Sequence, residues 1–102
     1  MVRLYMNQES ISDYQIEKML IAFFRRNGCV QLVDEERRKK LGQKYRKRYE
    51  VRLIANSEEE LETIRYLLKQ SGFKPGKPYQ KRRQFVQAVY GKSAVDWFTR
   101  EG

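Results

Sequence analysis

Apolar residues recur at helical spacing in two stretches of the chain and alternate with polar ones in another. Ile16, Met19, Leu20, Phe23 and Phe24 fall at i, i+3, i+4, i+7 and i+8, one face of a helix. Ser12 and Gln15 have capping-box spacing, Ile11 is placed to staple onto Ile16, and Gly28 is a C-terminal stop. The pattern predicts a helix over 13–27. Leu61, Ile64, Leu67 and Leu68 form a second stripe behind the capping pair Ser57 and Glu60, and Gly72 ends it. The glutamates of its first turn suit the positive end of the helix dipole. Residues 45–54 (YRKRYEVRLI) alternate. Period two puts Tyr45, Lys47, Tyr49, Val51 and Leu53 on one face, and Arg46, Arg48, Glu50, Arg52 and Ile54 on the other.

The remaining elements are shorter. Residues 2–6 (VRLYM) read as a short strand, and Cys29–Val33 as a strand entering a basic loop with Gly42. Pro75 and Pro78 restrict 73–80 to an edge strand or loop. QFVQAVY (84–90) has the β-branched and aromatic character of a strand. After Gly91 a short helix, AVDWFTR, sets Val95, Trp97 and Phe98 against an end of the core. At 102 residues the chain is one domain, 1–102, long enough to bury a modest core. The order predicts an α+β fold: a four-stranded antiparallel sheet with helices on one face, connected αββαββα. With the strand at 2–6, a ferredoxin-like βαββαβ arrangement is the alternative.

Charge changes the picture more than composition does. The formal charge is +9, and its placement is uneven. RRKKLGQKYRKR (37–48) holds eight Lys or Arg and KPGKPYQKRR (74–83) holds five, with no acid in either, while SEEELE (57–62) gathers four glutamates. Such a polarised field suits a polyanion, nucleic acid first. An anionic membrane surface fits less well, because the basic stretches lack a helical apolar face. No apolar run reaches the ~18 residues of a membrane span, and the N-terminus lacks a signal-peptide core. One cysteine, Cys29, rules out an intrachain disulfide and fits a reducing compartment, the cytoplasm, with nucleoid association open beside it. The absence of histidine, with a single thiol, excludes the usual zinc sites and histidine-based general-base catalysis. No cofactor is implied.

Arg46, Arg48 and Arg52, at period two on one sheet face, would stand roughly 6.6 Å apart, near the ~7 Å phosphate spacing of a duplex strand. Arginine also grips guanine edges bidentately. Gln31, on the outward face of the preceding strand, adds a base-edge candidate. Lys39, Lys40, Lys44 and Lys47 are phosphate contacts from a hairpin loop, and Lys81, Arg82 and Arg83 from the second loop. Tyr45, Tyr49 and Tyr79 lie among these cations and suit stacking on unpaired bases, with core packing the favoured role for Tyr49. Cys29 reads as a small buried apolar group, and Trp97 as core. Asp34, Glu35 and Glu36 read as a solvated hairpin arm, or less readily as a metal site.

The αββαββα order and LIAFFRRNGCV (20–30) together resemble the LAGLIDADG homing endonuclease family. Leu20, the small Ala22, Phe23, Phe24, Gly28 and Val30 stand where the signature has Leu, Gly, two large apolar residues, Gly and an apolar residue. The resemblance spans roughly 12–100. YEVRLIANSEEELETIRYLLKQSGF is similar to the second strand and second helix of such a module, and QFVQAVYGKSAVDWF to its last strand, turn and helix. It implies a saddle-shaped sheet that grips DNA, as a single module or paired with a second copy. In the family an acidic residue just before the glycine helps hold a divalent metal between scissile phosphates. Here Asn27 stands at that position, so no catalytic residue carries over. Mg²⁺ belongs only to the alternative of a weak or partner-dependent endonuclease. Arg25 replaces an earlier acid and Arg26 a small residue. In a close-packed pair of such helices four arginines would meet across the axis, at a desolvation cost of several kcal/mol. Monomer and homodimer both stay open. The expected function is nucleic-acid binding without cleavage, duplex DNA before RNA. An RNA-binding or splicing-cofactor role is the further alternative, and the RNP1 pattern of RNA recognition motifs is absent.

Overall fold

The computed structural model describes residues 12–102. The predicted strand at 2–6 and the Ile11 staple lie outside them. From Ser12 onward the chain forms helix α1 (Asp13–Asn27), strand β1 (Cys29–Gln31), helix α2 (Glu35–Leu41) with a 3₁₀ turn (Gly42–Lys44), and strand β2 (Glu50–Ala55). Helix α3 (Glu58–Gln70), strands β3 (Tyr79–Lys81) and β4 (Gln84–Tyr90) and helix α4 (Lys92–Glu101) follow. The strands form one open antiparallel sheet in the order β1-β2-β4-β3. The predicted αββαββα order is present, with α2 inserted between the first two strands.

Period two sorts the sheet into faces. On β2, Val51, Leu53 and Ala55 point toward the helices and are completely buried. They meet Ile16 and Leu20 of α1, Ile64, Leu67 and Leu68 of α3, and Ala94, Val95 and Phe98 of α4. Phe24, Phe73 and Trp97 close around Phe98, the Trp97 ring edge-on to it at 4.8 Å between centroids. One polar side chain enters this layer. Gln87 of β4, opposite Leu53, is completely buried. Its amide nitrogen donates to the Gly76 and Ala88 carbonyls (2.7 and 2.8 Å), and its oxygen accepts from Arg65 at 2.7 Å. It thereby ties the segment leading to β3 onto the sheet. Among the described residues no helix is long and apolar enough to cross a membrane.

Both long helices are capped as their sequences require. Ser12 accepts from the Gln15 N–H, and the Gln15 side chain accepts from the Ser12 N–H. Ser57 accepts from the Glu60 N–H, but the Glu60 carboxylate reaches one residue further back, to the Asn56 N–H at 2.9 Å. Helix α3 ends in a Schellman motif: Phe73 N–H donates to the Leu68 carbonyl and Gly72 N–H to that of Lys69, with Gly72 at φ 86°. Gly28 serves close approach. A Cβ there would lie 2.6 Å from the Phe24 carbonyl oxygen and 2.9 Å from that of Arg52, so only glycine lets the end of α1 press onto β2.

Two expectations are corrected. Residues 34–44 are not a hairpin loop. Asp34 caps the Arg37 N–H at 3.1 Å, Glu35 and Glu36 fill the first turn, and Arg38, Lys39 and Lys40 the last. The charges match the dipole at both ends, which stabilises a helix with no buried face. Nor does the strand run from 45. It starts at Glu50, because β1 is three residues long and ends opposite it, as does β4 with Tyr90. Residues 45–49 have no partner strand to bond, and β1 likewise stops at Gln31, two residues short of Val33.

Candidate nucleic-acid interface

The face of the sheet away from the helices carries the candidate surface. Register sets its rows: Cys29, Arg52 and Ala88; Gln31, Glu50 and Tyr90; Ile54, Val86 and Tyr79. A hollow of about 470 Å³ opens across it. Its polar lining is Asn27, Cys29, Arg52, Tyr79, Lys81, Arg82 and Gln84. Asn27 is brought there by the end of α1, which Arg26 fastens down. The Arg26 guanidinium donates to both oxygens of Glu60 (2.7 and 3.1 Å) and to the Ile54 carbonyl (2.9 Å). The hydrogen bonds from Arg26, then that from the Asn56 N–H, hold the Glu60 carboxyl down at about 2. Arg26 is thus paired inside the chain and turned onto α3. Arg25 donates to the Gly102 carbonyl at 3.1 Å.

The three arginines expected in one row do not form one. Arg52 alone lies on a strand. It faces outward but is bound to Glu50, two residues back on the same face, at 3.0 Å, and that carboxylate raises its pKa. Arg48 precedes the strand and lies over the Tyr90 ring, 3.9 Å from its centre, a cation–π contact. Arg46 turns away with Lys44 and Lys47 to a second hollow beside α2. Gln31 faces outward as expected, yet its amide nitrogen donates to the Arg48 carbonyl at 2.9 Å, leaving its oxygen for a ligand. Lys39 and Lys40 stand exposed on the last turn of α2.

Lys81, Arg82 and Arg83 form the tip of the β3–β4 hairpin. Lys81 pairs with Gln84, so the turn is the two residues Arg82 and Arg83, and Arg82 is held at φ 58°. Glycine is the usual residue at such a position. Ten of the candidate residues are cations. Among the described residues, ion pairs engage Arg26, Arg38, Arg52, Lys92 and Arg100. Of the ten, then, Arg52 alone has an acidic partner.

The tyrosines divide. The Tyr45 hydroxyl accepts from the Asp34 N–H at 2.8 Å, and the Tyr49 hydroxyl donates to Glu35 at 2.8 Å, which raises its pKa. Both stitch the 45–49 strap to α2, and Tyr49 also packs on the core. Tyr79 is left for stacking, half exposed in the hollow. Cys29 is exposed there rather than buried. The sequence reading missed Glu50 as the partner of Arg52 and Tyr90 as the platform under Arg48. The first was visible at i, i+2 on one face; the second needs the sheet register.

A divalent metal does not fit this donor set. The hollow offers amide and phenol oxygens amid three cations and no carboxylate, whereas Mg²⁺ selects hard, charged oxygen ligands. Asp34 and Glu35 are spent on the cap and on Tyr49. Among the described residues no three acidic, cysteine or histidine side chains converge. Comparison of the chain with protein-family models, with curated proteins and with solved structures found no match.

Proposed function

We propose that this chain is a duplex-DNA-binding module of LAGLIDADG-like architecture that holds the phosphate backbone without cutting it. The observation that carries the reading is the set of exposed candidate cations without acidic partners among the described residues, beside a sheet face whose hollow contains no carboxylate. Exposed cations left unpaired inside the chain are available to neutralise phosphates and release counterions. A two-stranded ribbon such as β3–β4 fits the major groove. Arg52 is the exception: its charge is largely answered by Glu50, so it orients the surface more than it grips. The module does not cleave, on this reading, because Asn27 brings no charge to a metal and its neighbours repel one. The chain then works in the cytoplasm, on the nucleoid.

Fluorescence anisotropy with a labelled duplex tests the binding half. Lys81, Arg82 and Arg83 changed together to Ala weaken binding while the thermal melt stays cooperative. A chain that ignores duplex DNA at low salt refutes the reading. Incubating supercoiled plasmid with Mg²⁺ or Mn²⁺ tests the other half. Intact plasmid is expected, and nicking that disappears in Asn27→Ala overturns the claim of binding alone.

A further inference from the structure

The insertion of α2 builds a second hollow that the sheet face does not need. It measures about 370 Å³, within the size range of small-ligand sites. Its walls are fixed. The strap 45–49 is held to the start of α2 by the Tyr45 hydroxyl on the Asp34 N–H and the Tyr49 hydroxyl on Glu35. Its lining mixes two chemistries. Leu32 and Leu41 keep 61% and 39% of their surface in water, and the Tyr45 ring stands beside them. Around these apolar groups are Arg37, Lys44, Arg46 and Lys47. The one acid in the lining, Asp34, is turned to its capping bond with Arg37 N–H.

An apolar and aromatic floor ringed by cations is the complement of a nucleotide: a flat base to cover the leucines and a phosphate for the arginines and lysines. A paired base inside a duplex presents only its edges, so the occupant must be unstacked. We propose that the α2 hollow binds one unpaired nucleotide at the end of the duplex footprint, making the chain selective for duplex DNA that carries a single-stranded tail or flap. This rests on the duplex-binding reading above and deepens it. Arg48, within the strap, lies over Tyr90 on the outer sheet face, so the strap leads directly from one surface to the other. An acidic peptide offers carboxylates for the cations but no ring to cover the leucines and is the less favoured occupant.

Three probes decide it: a blunt duplex, the same duplex with a short single-stranded tail, and the tail strand alone. The wild-type chain binds the tailed duplex about tenfold more tightly than the blunt one, about 1.4 kcal/mol. Leu32→Ser with Leu41→Ser, both at exposed positions, leaves blunt binding unchanged and cuts the advantage of the tail below about twofold. Arg46→Ala reduces that advantage too. Equal wild-type affinity for blunt and tailed duplex overturns the hollow and leaves the duplex reading standing. Binding of the tail strand alone, lost in the double leucine variant, with no affinity for the blunt duplex supports the hollow and overturns the duplex reading. Displacement of the tail by poly-glutamate, in a manner that depends on both leucines, overturns the nucleotide assignment.

Discussion

Changing Glu60 to Gln removes one charge and almost no volume, at the joint that holds α1 against α3 and the end of β2. Glu60 accepts two hydrogen bonds from Arg26 and one from the Asn56 N–H. Together they hold its carboxyl at about 2, against 4.5 for a free one. By linkage that displacement corresponds to roughly 3 kcal/mol at neutral pH. This is an upper limit, because the Arg26 and Glu60 side chains keep 34% and 32% of their surface in water, and exposed pairs return only a fraction of their nominal attraction. We expect a loss of about 1–1.5 kcal/mol, or a Tm roughly 5–10 °C lower for a domain of this size. The sign with pH is fixed. The folded pKa lies below the unfolded one, so the contribution is full above about 4.5 and disappears as pH falls through 2. Circular-dichroism melts of both proteins from neutral pH to pH 2 measure it. The two Tm values should differ at pH 7 and converge toward pH 2. Equal melts at pH 7, or a gap that persists unchanged at pH 2, refute the reasoning.

Gln87→Leu keeps the volume but leaves the Gly76 carbonyl with one bond fewer and an Arg65 N–H without its glutamine acceptor; chemical denaturation should show a loss of about 1–3 kcal/mol, with β3 the first element to lose amide protection in hydrogen exchange. Arg82→Gly relieves the left-handed backbone of the hairpin turn. It should raise stability by roughly 0.5–1 kcal/mol while weakening duplex binding, a combination that separates the residue's cost to folding from its use on the surface.

How much could be read beforehand depended on whether a residue's partner was local. Helices α1 and α3 were legible because stripe, cap and stop all lie within one stretch, and strand β4 was legible to its observed limits, Gln84–Tyr90. Helix α2 was missed because periodicity looks for an apolar face and EERRKKL has none; its signal was the order of charges, acid first and base last. The alternation of 45–54 was real, but a strand needs a neighbour, and β1 is too short to reach 45–49. That single fact dispersed Arg46 and Arg48 from the expected row. The hairpin cations Lys81, Arg82 and Arg83 were legible from charge alone, since a two-residue turn leaves its side chains in water. Gln87, Glu50 and Tyr90 acquire their roles only from the register of the sheet.

The central claim is that unpaired surface cations grip phosphates. The dependence of duplex-DNA affinity on salt measures this most directly. A plot of log K against log salt concentration should fall with a slope between about −4 and −6, roughly five or six phosphates. The Lys81, Arg82 and Arg83 triple alanine variant should shallow that slope by up to about 2.7, near 0.9 for each phosphate no longer neutralised. A wild-type affinity that does not change with salt, or a slope the triple variant leaves untouched, contradicts the account.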